Sequence, residues 1–410
     1  MKIAVIGAGL VGLNTAHRLA DEGHDVTIID RVGPANGASR GNAGMIAHTD
    51  IEPLASPRML RKVPQMLLDP LSPLAIRPGY ALQIFPWLVR LLAASTPANR
   101  KRSIDAIIAI QSLARPAWTE TANRLDLKSF FHERGSLYLF DNRANFEAAR
   151  PTYAHQRELG IQVDELNGDE IRQMEPALND KIIAAGYFPD AGHIADPRLL
   201  TEALFDRAVA RGIHFLRDDI QTIAAGDHVS VTGPDNRHYT FDRAVIAAGA
   251  WSKTLAAQLG DRIPLDTERG YNVSFPGATG LVSRPVSFQG YGFVATPMDT
   301  GLRIGGAVEL GGLALPPNHA RTRALYARAQ NFVKGLPAYE SGTEWMGFRP
   351  SLPDSIPVIG RAAASPHVVY AFGHGHYGLT QSAATGALVA DLIAGRPTPI
   401  DLKPYAPNRF

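Results

Sequence analysis

The 410-residue sequence contains no cysteine. This absence excludes disulfides, thiolate nucleophiles, cysteine-bound zinc, cysteinyl iron–sulfur clusters and cysteine-linked cofactors. Any redox chemistry must therefore be carried by a bound cofactor. The sequence also contains no HExxH, Walker or GxSxG motif and no His/acid cluster with metal-ligand spacing, so no metal site is predicted.

The sequence has little excess charge, since 41 Lys and Arg residues face 39 Asp and Glu residues. Nucleic-acid binding would need a clustered basic surface, so we expect no nucleic-acid partner. Long apolar runs are missing as well: the longest stretch without Asp, Glu, Lys or Arg, residues 362–390, contains four glycines and three histidines. With no basic leader before the apolar opening, we expect a cytoplasmic protein, free or associated with the inner face of the membrane.

The first thirty residues have the pattern of a βαβ unit. A β-like run at Lys2–Ile6 leads into Gly7, Gly9 and Gly12, a helical pattern follows, and a second apolar run ends at Asp30. In such units the glycines allow a tight turn, close approach of a pyrophosphate and packing of helix on strand. The acid at the end of the second strand accepts hydrogen bonds from ribose hydroxyls and disfavours a 2′-phosphate. The spacing therefore predicts dinucleotide binding.

The rest of the chain predicts a mixture of helices and strands rather than strict alternation. Helices are expected at 103–125, 145–159, from Asp196 to Gly212, at 321–333 and at 378–394. Strands are expected at 135–140, 214–217, 229–231, 239–247, 271–275, 286–287, 293–296, 302–307 and 367–372. This order predicts a mixed α/β (α+β) protein with two interleaved domains. The expected domains are a Rossmann-like dinucleotide-binding domain at 1–55, 196–262 and 345–410, and a mixed-sheet substrate-binding domain at 56–195 and 263–344.

Separated segments of the chain resemble a flavoprotein family that contains D-amino-acid oxidase, glycine oxidase, sarcosine oxidase and the bacterial D-amino-acid dehydrogenases. The segments are the opening glycine unit, Ser-Arg-Gly-Asn-Ala-Gly at 39–44, Ala-Val-Ile-Ala-Ala-Gly-Ala-Trp-Ser at 244–252, and a C-terminal pair at 345–360 and 373–380. Within the family, the text Trp-Met-Gly-Phe-Arg-Pro-Ser-Leu-Pro-Asp-Ser-Ile-Pro-Val-Ile-Gly at 345–360 is most similar to the dehydrogenases.

The resemblance implies FAD as the cofactor. It also implies that the helix after the glycine turn at 373–378 points its positive N-terminal end at the flavin N1–C2=O edge, where the reduced flavin is anionic. The residues expected to hold FAD are Gly7, Gly9, Leu10, Val11, Gly12, Asp30, Arg31, Ser39, Asn42, Ala43, Gly44, Met45, Ala248, Gly249, Trp251, Gly373, Gly375, His376, Gly378, Leu379 and Thr380.

Arg349 is the residue expected to bind the substrate. It is a charged residue in an apolar, strand-like context, and a planar guanidinium suits a carboxylate. In the family, the arginine of this motif holds the amino-acid carboxylate. The alternative is a core ion pair, for example with Asp354.

The other candidate catalytic residues each have a structural alternative. Tyr271 could contact the substrate or be a half-buried sheet tyrosine, and His376 could reach flavin or substrate or serve only the glycine loop. His48 follows the flavin loop and could face the active site or solvent.

The best interpretation of the sequence is an FAD-dependent oxidoreductase that deaminates a D-amino acid by hydride transfer from Cα to flavin N5. Alternatives are a D-proline or hydroxyproline dehydrogenase, an oxygen-using amino-acid oxidase, an NAD-dependent dehydrogenase and a flavin protein without catalysis. A quinone or another acceptor would take the electrons. Residues 80–94 are apolar and lie near basic residues, so they either pack on the flavin domain or make a peripheral membrane contact.

Overall fold

The computed structural model describes residues 1–54, 63 and 72–410. The predicted domain boundary at residues 55–56 lies outside the described residues. The strands are β1 Lys2–Ile6, β2 Asp25–Asp30, β3 Met45–Ile46, β4 Leu74–Ile76, β5 Phe131–His132, β6 Ser136–Phe140, β7 Asp164–Asn167, β8 Ala184–Phe188, β9 Gly192–Ile194, β10 His214–Arg217, β11 Thr222–Ala225, β12 Val229–Thr232, β13 His238–Phe241, β14 Arg243–Ile246, β15 Asp266–Pro276, β16 Val286–Phe288, β17 Phe293–Met298, β18 Gly301–Leu310, β19 Thr343–Ser351, β20 Val358–Ala362 and β21 Ser365–Phe372. The helices are α1 Leu10–Asp21, α2 Ala81–Ala94, α3 Pro97–Leu125, α4 Arg143–Glu147, α5 Arg150–Glu158, α6 Gly168–Met174, α7 Pro197–Ala210, α8 Ser252–Gln258, α9 Ala320–Gln330 and α10 Gly378–Ala394.

The first sheet contains the predicted βαβ unit. Its strand order is β10-β2-β1-β14-β21-β20, parallel except for the antiparallel pair β20–β21. Both faces are covered, because Ile3 and Val5 of β1 pack with α1 and α10 while Ala4 and Ile6 pack into a core on the other face. This alternation across a strand explains why β1 is apolar at every position after Lys2.

The second sheet is mixed, with the order β19-β15-β18-β17-β16-β6-β8-β7 and β4 paired to β18. Its two long central strands, β15 and β18, have 11 and 10 residues and carry one face of the second core. β19 pairs with β15, so residues 345–351 belong to the second sheet. The predicted boundary at residue 345 assigns them to the FAD-binding domain.

The long helix α3 packs against the first sheet's helices, although the sequence predicts residues 56–195 to belong to the substrate-binding domain. Its buried residues join the core under α1 and α10, and the Trp118 indole nitrogen donates to the Leu379 carbonyl at 2.9 Å. The helix starts at Pro97, before the predicted residue 103, because proline is tolerated in a first turn.

Two other predicted elements are each divided in the structure, and two are confirmed. The single strand predicted at 239–247 is two strands, because β13 pairs with β12 and β14 pairs with β1. The helix predicted at 145–159 is split into α4 and α5, with Pro151 in the first turn of α5. Asp196 caps α7 as predicted, accepting from the Arg198 amide at 2.7 Å. The final helix spans 378–394, as the sequence predicts.

Candidate active site

A cavity of ≈ 1590 Å³ is lined by both sheets, by the loop at 30–54 and by the start of α10. Typical single-ligand pockets have volumes of about 300–1,000 Å³, so this cavity has room for a dinucleotide and a substrate. The glycine turn after β1 lines it on one side, and strands β6 and β16 to β19 line it on the other.

The glycine turn is shaped so that only glycine fits. Gly7 has φ +117°, and a Cβ there would lie 2.4 Å from the Ala247 carbonyl oxygen. A Cβ on Gly12 would lie 1.9 Å from the Gly7 oxygen. The turn therefore brings bare backbone to the cavity just where α1 begins, and the free N–H groups and positive end of a helix bind phosphate. The cradle fits a pyrophosphate.

Asp30 and Arg31 line the same side of the cavity. The Asp30 carboxylate accepts hydrogen bonds from the backbone N–H groups of Ala8 and Gly33, both at 2.9 Å, and so fixes the turn. The Arg31 guanidinium lies over the Trp251 ring at 3.9 Å from its centroid. The ribose contact expected of Asp30 remains a prediction.

Long-range hydrogen bonds position the loop at 39–47. The Asn272 amide of β15 donates to the Gly41 carbonyl at 2.7 Å. Arg303 of β18 donates to the Asn42 carbonyl at 2.8 Å. The Thr380 hydroxyl accepts from the Ala47 amide at 3.0 Å. The second sheet and α10 therefore hold this loop in one place.

Arg349 lies on β19 opposite Glu268 of β15 and reaches across the backbone of Gly270. A Cβ on Gly270 would lie 2.4 Å from the guanidinium carbon, so a larger residue there would displace the guanidinium. Nη1 donates to the Ala307 carbonyl at 2.9 Å and Nη2 to the Gly306 carbonyl at 3.4 Å. Burial lowers the pKa of Arg349, and among the described residues no carboxylate pairs with its guanidinium.

The alternative predicted for Arg349, a core ion pair with Asp354, is absent. Asp354 instead pairs with Arg409 at 2.8 Å and accepts from the Ile356 amide, which fixes the turn after β19. Arg349 faces the cavity and is available to a ligand.

His376 lines the cavity at the start of α10 and is held by a buried acid. Its Nε2 lies 2.7 Å from Oε2 of Glu268, whose other oxygen accepts from the Ser351 hydroxyl. Burial alone raises the pKa of Glu268, but the charge of His376 and the two hydrogen bonds outweigh it, so the pKa lies below its usual value. The sequence does not predict this role of Glu268, because its partner His376 is 108 residues away along the chain.

The other candidates take different positions. Tyr271 lines the cavity, but its hydroxyl donates to Glu309 at 2.9 Å. His48 does not line the cavity, and burial lowers its pKa. His374 is buried against the Thr385 hydroxyl at 2.9 Å, and burial lowers its pKa to about 3. Of these side chains, none brings a free polar atom to the Arg349 side of the cavity.

Most of the predicted cofactor residues lie together on the cavity wall: Gly7, Gly9, Leu10, Val11, Asp30, Arg31, Ser39, Asn42, Ala43, Gly44, Met45, Ala248, Gly249, Trp251, Gly375, His376, Gly378 and Leu379. Gly12, Gly373 and Thr380 do not line it. Their surroundings show supporting roles, since Gly12 packs on Gly7, Gly373 has φ +85° against Leu352, and Thr380 anchors the loop.

Asp50 is a second acid that the sequence analysis missed. It lines the cavity, and its Oδ1 accepts from the Tyr138 hydroxyl at 2.6 Å. Burial raises the pKa of Asp50 to about 6. Asp50 lies in an aperiodic loop, and its partner is 88 residues away, so no local pattern could find it.

The described residues, 1–54, 63 and 72–410, show neither a metal cluster nor a membrane-spanning helix. In that part of the chain, no group of three His, Asp or Glu side chains could hold a metal ion. No helix there combines the length and apolarity needed to cross a bilayer.

Known proteins resemble this chain over its full length. The family model described as "FAD dependent oxidoreductase" matches residues 2–392. A D-amino-acid oxidase of Bradyrhizobium diazoefficiens is 36% identical, with 100% of this chain and 98% of that protein covered. A D-amino acid dehydrogenase of Neisseria gonorrhoeae is 31% identical, with 100% and 99% covered.

Solved structures show the same fold. Glycine oxidase from Geobacillus kaustophilus superimposes with a TM-score of 0.80 at 22% identity, covering 100% of this chain and 98% of that one. These comparisons confirm the predicted mixed α/β fold and the FAD cofactor, to which the glycine cradle and the start of α10 are suited. The chain belongs to the family of FAD-dependent oxidoreductases that the resemblance indicated.

Proposed function

We propose that the protein oxidises the Cα–N bond of a D-amino acid whose carboxylate is held by Arg349. The observation that carries the proposal is the half-buried Arg349 guanidinium on the cavity wall, which among the described residues hydrogen-bonds only to two backbone carbonyls. The names of the curated relatives, D-amino-acid oxidase and D-amino acid dehydrogenase, support the substrate class. When bound, FAD accepts the hydride at N5.

The electrostatics of Arg349 favour an anionic ligand. Burial lowers the pKa of Arg349, and the charge of Glu268 opposes that shift without outweighing it. Glu268, the acid opposite it, is already bonded to His376 and Ser351. A substrate carboxylate would bond directly to the guanidinium, in the paired geometry that a guanidinium prefers.

His376 is placed to manage the amine proton. Hydride can leave Cα only when the amine is neutral, so the ammonium of the substrate must lose a proton first. Glu268 accepts from Nε2 of His376, which leaves Nδ1 as the acceptor in the neutral ring. We assign the amine proton to Nδ1 of His376. The resulting imine hydrolyses in water to a 2-oxo acid and ammonia.

A carboxylate-to-amide comparison tests this function. Purified holoenzyme is assayed with a redox dye on D-alanine and on D-alaninamide, and 2-oxo acid and ammonia are quantified. We expect equimolar products from D-alanine and a kcat/KM about 10- to 150-fold lower for the amide, because a charged hydrogen bond is lost. Equal kcat/KM for the two compounds would show that Arg349 does not bind the substrate carboxylate.

Helix α2 supports a second part of the proposal, a peripheral contact with a membrane that holds the electron acceptor. One face of the helix is buried, while four apolar side chains at helical spacing are exposed on another face: Leu82 91%, Phe85 63%, Val89 49% and Leu92 55%. Arg90, Lys101 and Arg102 are exposed nearby. An apolar stripe beside basic residues suits an anionic bilayer surface.

Liposome binding tests the membrane contact. We expect the holoenzyme to sediment with anionic liposomes at low salt, and Val89→Ser to weaken this binding. Val209→Ser is the matched control, because Val209 is equally exposed, at 50%, on α7. Equal binding of both variants, or rapid hydrogen peroxide formation without liposome binding, would reject the contact and favour an oxygen-using oxidase.

A further inference from the structure

Asp50 is a cavity-facing acid that the proposed reaction leaves unused. Its only hydrogen-bond donor among the described side chains is the Tyr138 hydroxyl, and no described lysine or arginine pairs with it. The neighbouring acid Glu52 differs, because it is paired with Arg100. The charge of His376 also acts to lower the pKa of Asp50, but no described cation bonds to its carboxylate on the cavity wall.

The second sheet separates Asp50 from Arg349. The Arg349 guanidinium is bonded to carbonyls of β18, whereas Tyr138, which holds Asp50, lies on β6. The order β18-β17-β16-β6 puts three strand spacings between them, about 14 Å between backbones in a flat sheet. With the substrate carboxylate on Arg349, this stretch of the cavity wall is left for the rest of the substrate.

A neutral side chain would be a poor neighbour for Asp50. It would displace water from the carboxylate and offer no counter-charge, and an unpaired buried charge is costly. Burial raises the pKa of Asp50 to about 6, so the group is ionised at neutral pH and above.

We propose that Asp50, supported by the Tyr138 hydroxyl, binds a cationic group at the end of the substrate side chain. This makes basic D-amino acids, which end in an ammonium or guanidinium group, the preferred substrate class. The inference rests on the proposed function and deepens it.

D-arginine and D-citrulline test the inference, because they have nearly the same shape and differ in the charge of the terminal group. Anaerobic stopped-flow measurement of flavin reduction gives the ratio of reduction rate constant to Kd for each. We expect the wild-type holoenzyme to favour D-arginine by about 10- to 100-fold, the range of a charge-assisted hydrogen bond. Asp50→Asn should bring this preference to within about 3-fold of unity.

The controls separate the two proposals. Asp105→Asn, an exposed acid on α3, should keep the wild-type preference, and Tyr138→Phe should reduce it. Reduction by both compounds with a wild-type ratio near one overturns the role of Asp50 but keeps the proposed function, and so does a ratio that Asp50→Asn leaves unchanged. If neither these compounds nor any other D-amino acid reduces the flavin, the proposed function itself fails.

Discussion

Replacing Arg349 by lysine should impair catalysis far more than a charge-conserving change normally does. The guanidinium uses Nη1 and Nη2 on two carbonyls of β18 and still presents its remaining N–H groups to the cavity. A lysine ammonium is a point charge that cannot satisfy both carbonyls and a carboxylate in one plane. We expect kcat/KM for D-alanine to fall by about 2–3 kcal/mol, or about 30- to 150-fold.

Arg361→Lys is the matched control for this measurement. Arg361 also donates to two carbonyls, those of Pro366 and Leu392, but it does not line the cavity. Its variant should keep the wild-type kcat/KM while losing a comparable amount of thermal stability. An Arg349→Lys enzyme with unchanged kcat/KM toward carboxylate substrates would show that Arg349 does not bind the substrate carboxylate and has a structural role.

Two further predictions follow from the geometry. Gly7→Ala should purify with little FAD, because its Cβ would overlap the Ala247 oxygen, whereas Gly212→Ala, with φ +81° and open space around it, should keep a wild-type ratio of flavin absorbance to protein. Asp50→Asn should stabilise the protein at pH 8 but not at pH 4. The pKa of Asp50 is raised to about 6 in the folded state, so folding binds a proton between pH 4 and 6, and stability is lost as pH rises through that window. Denaturant unfolding should show a gain of at most about 3 kcal/mol at pH 8, and equal gains at both pH values would contradict the assignment.

The parts of the site that the sequence predicts are those encoded within a few residues. The turn at Gly7 and the start of α10 at Gly378 depend on local backbone requirements, and both stand where the sequence placed them. The cap at Asp196 is local in the same sense. Such features can be predicted from the sequence, because the residue type at one position determines the backbone conformation at that same position.

The parts that the sequence does not predict depend on distant partners. Glu268 meets His376 across 108 residues, and Asp50 meets Tyr138 across 88. The break at residue 242 arises because neighbouring segments pair with different sheets, which no local periodicity records. His48 shows the converse error, since its nearness in sequence to the flavin loop does not bring it to the cavity.

In the proposed reaction, the protein passes hydride from a D-amino acid to bound FAD. Its most direct test is anaerobic mixing of the purified yellow protein with the D and L enantiomers of the same amino acids, followed at the flavin absorbance band. We expect the D enantiomers to bleach the band and none of the L enantiomers to do so. A band that stays oxidised with every D-amino acid, or a preparation that binds NAD in place of flavin, would contradict it.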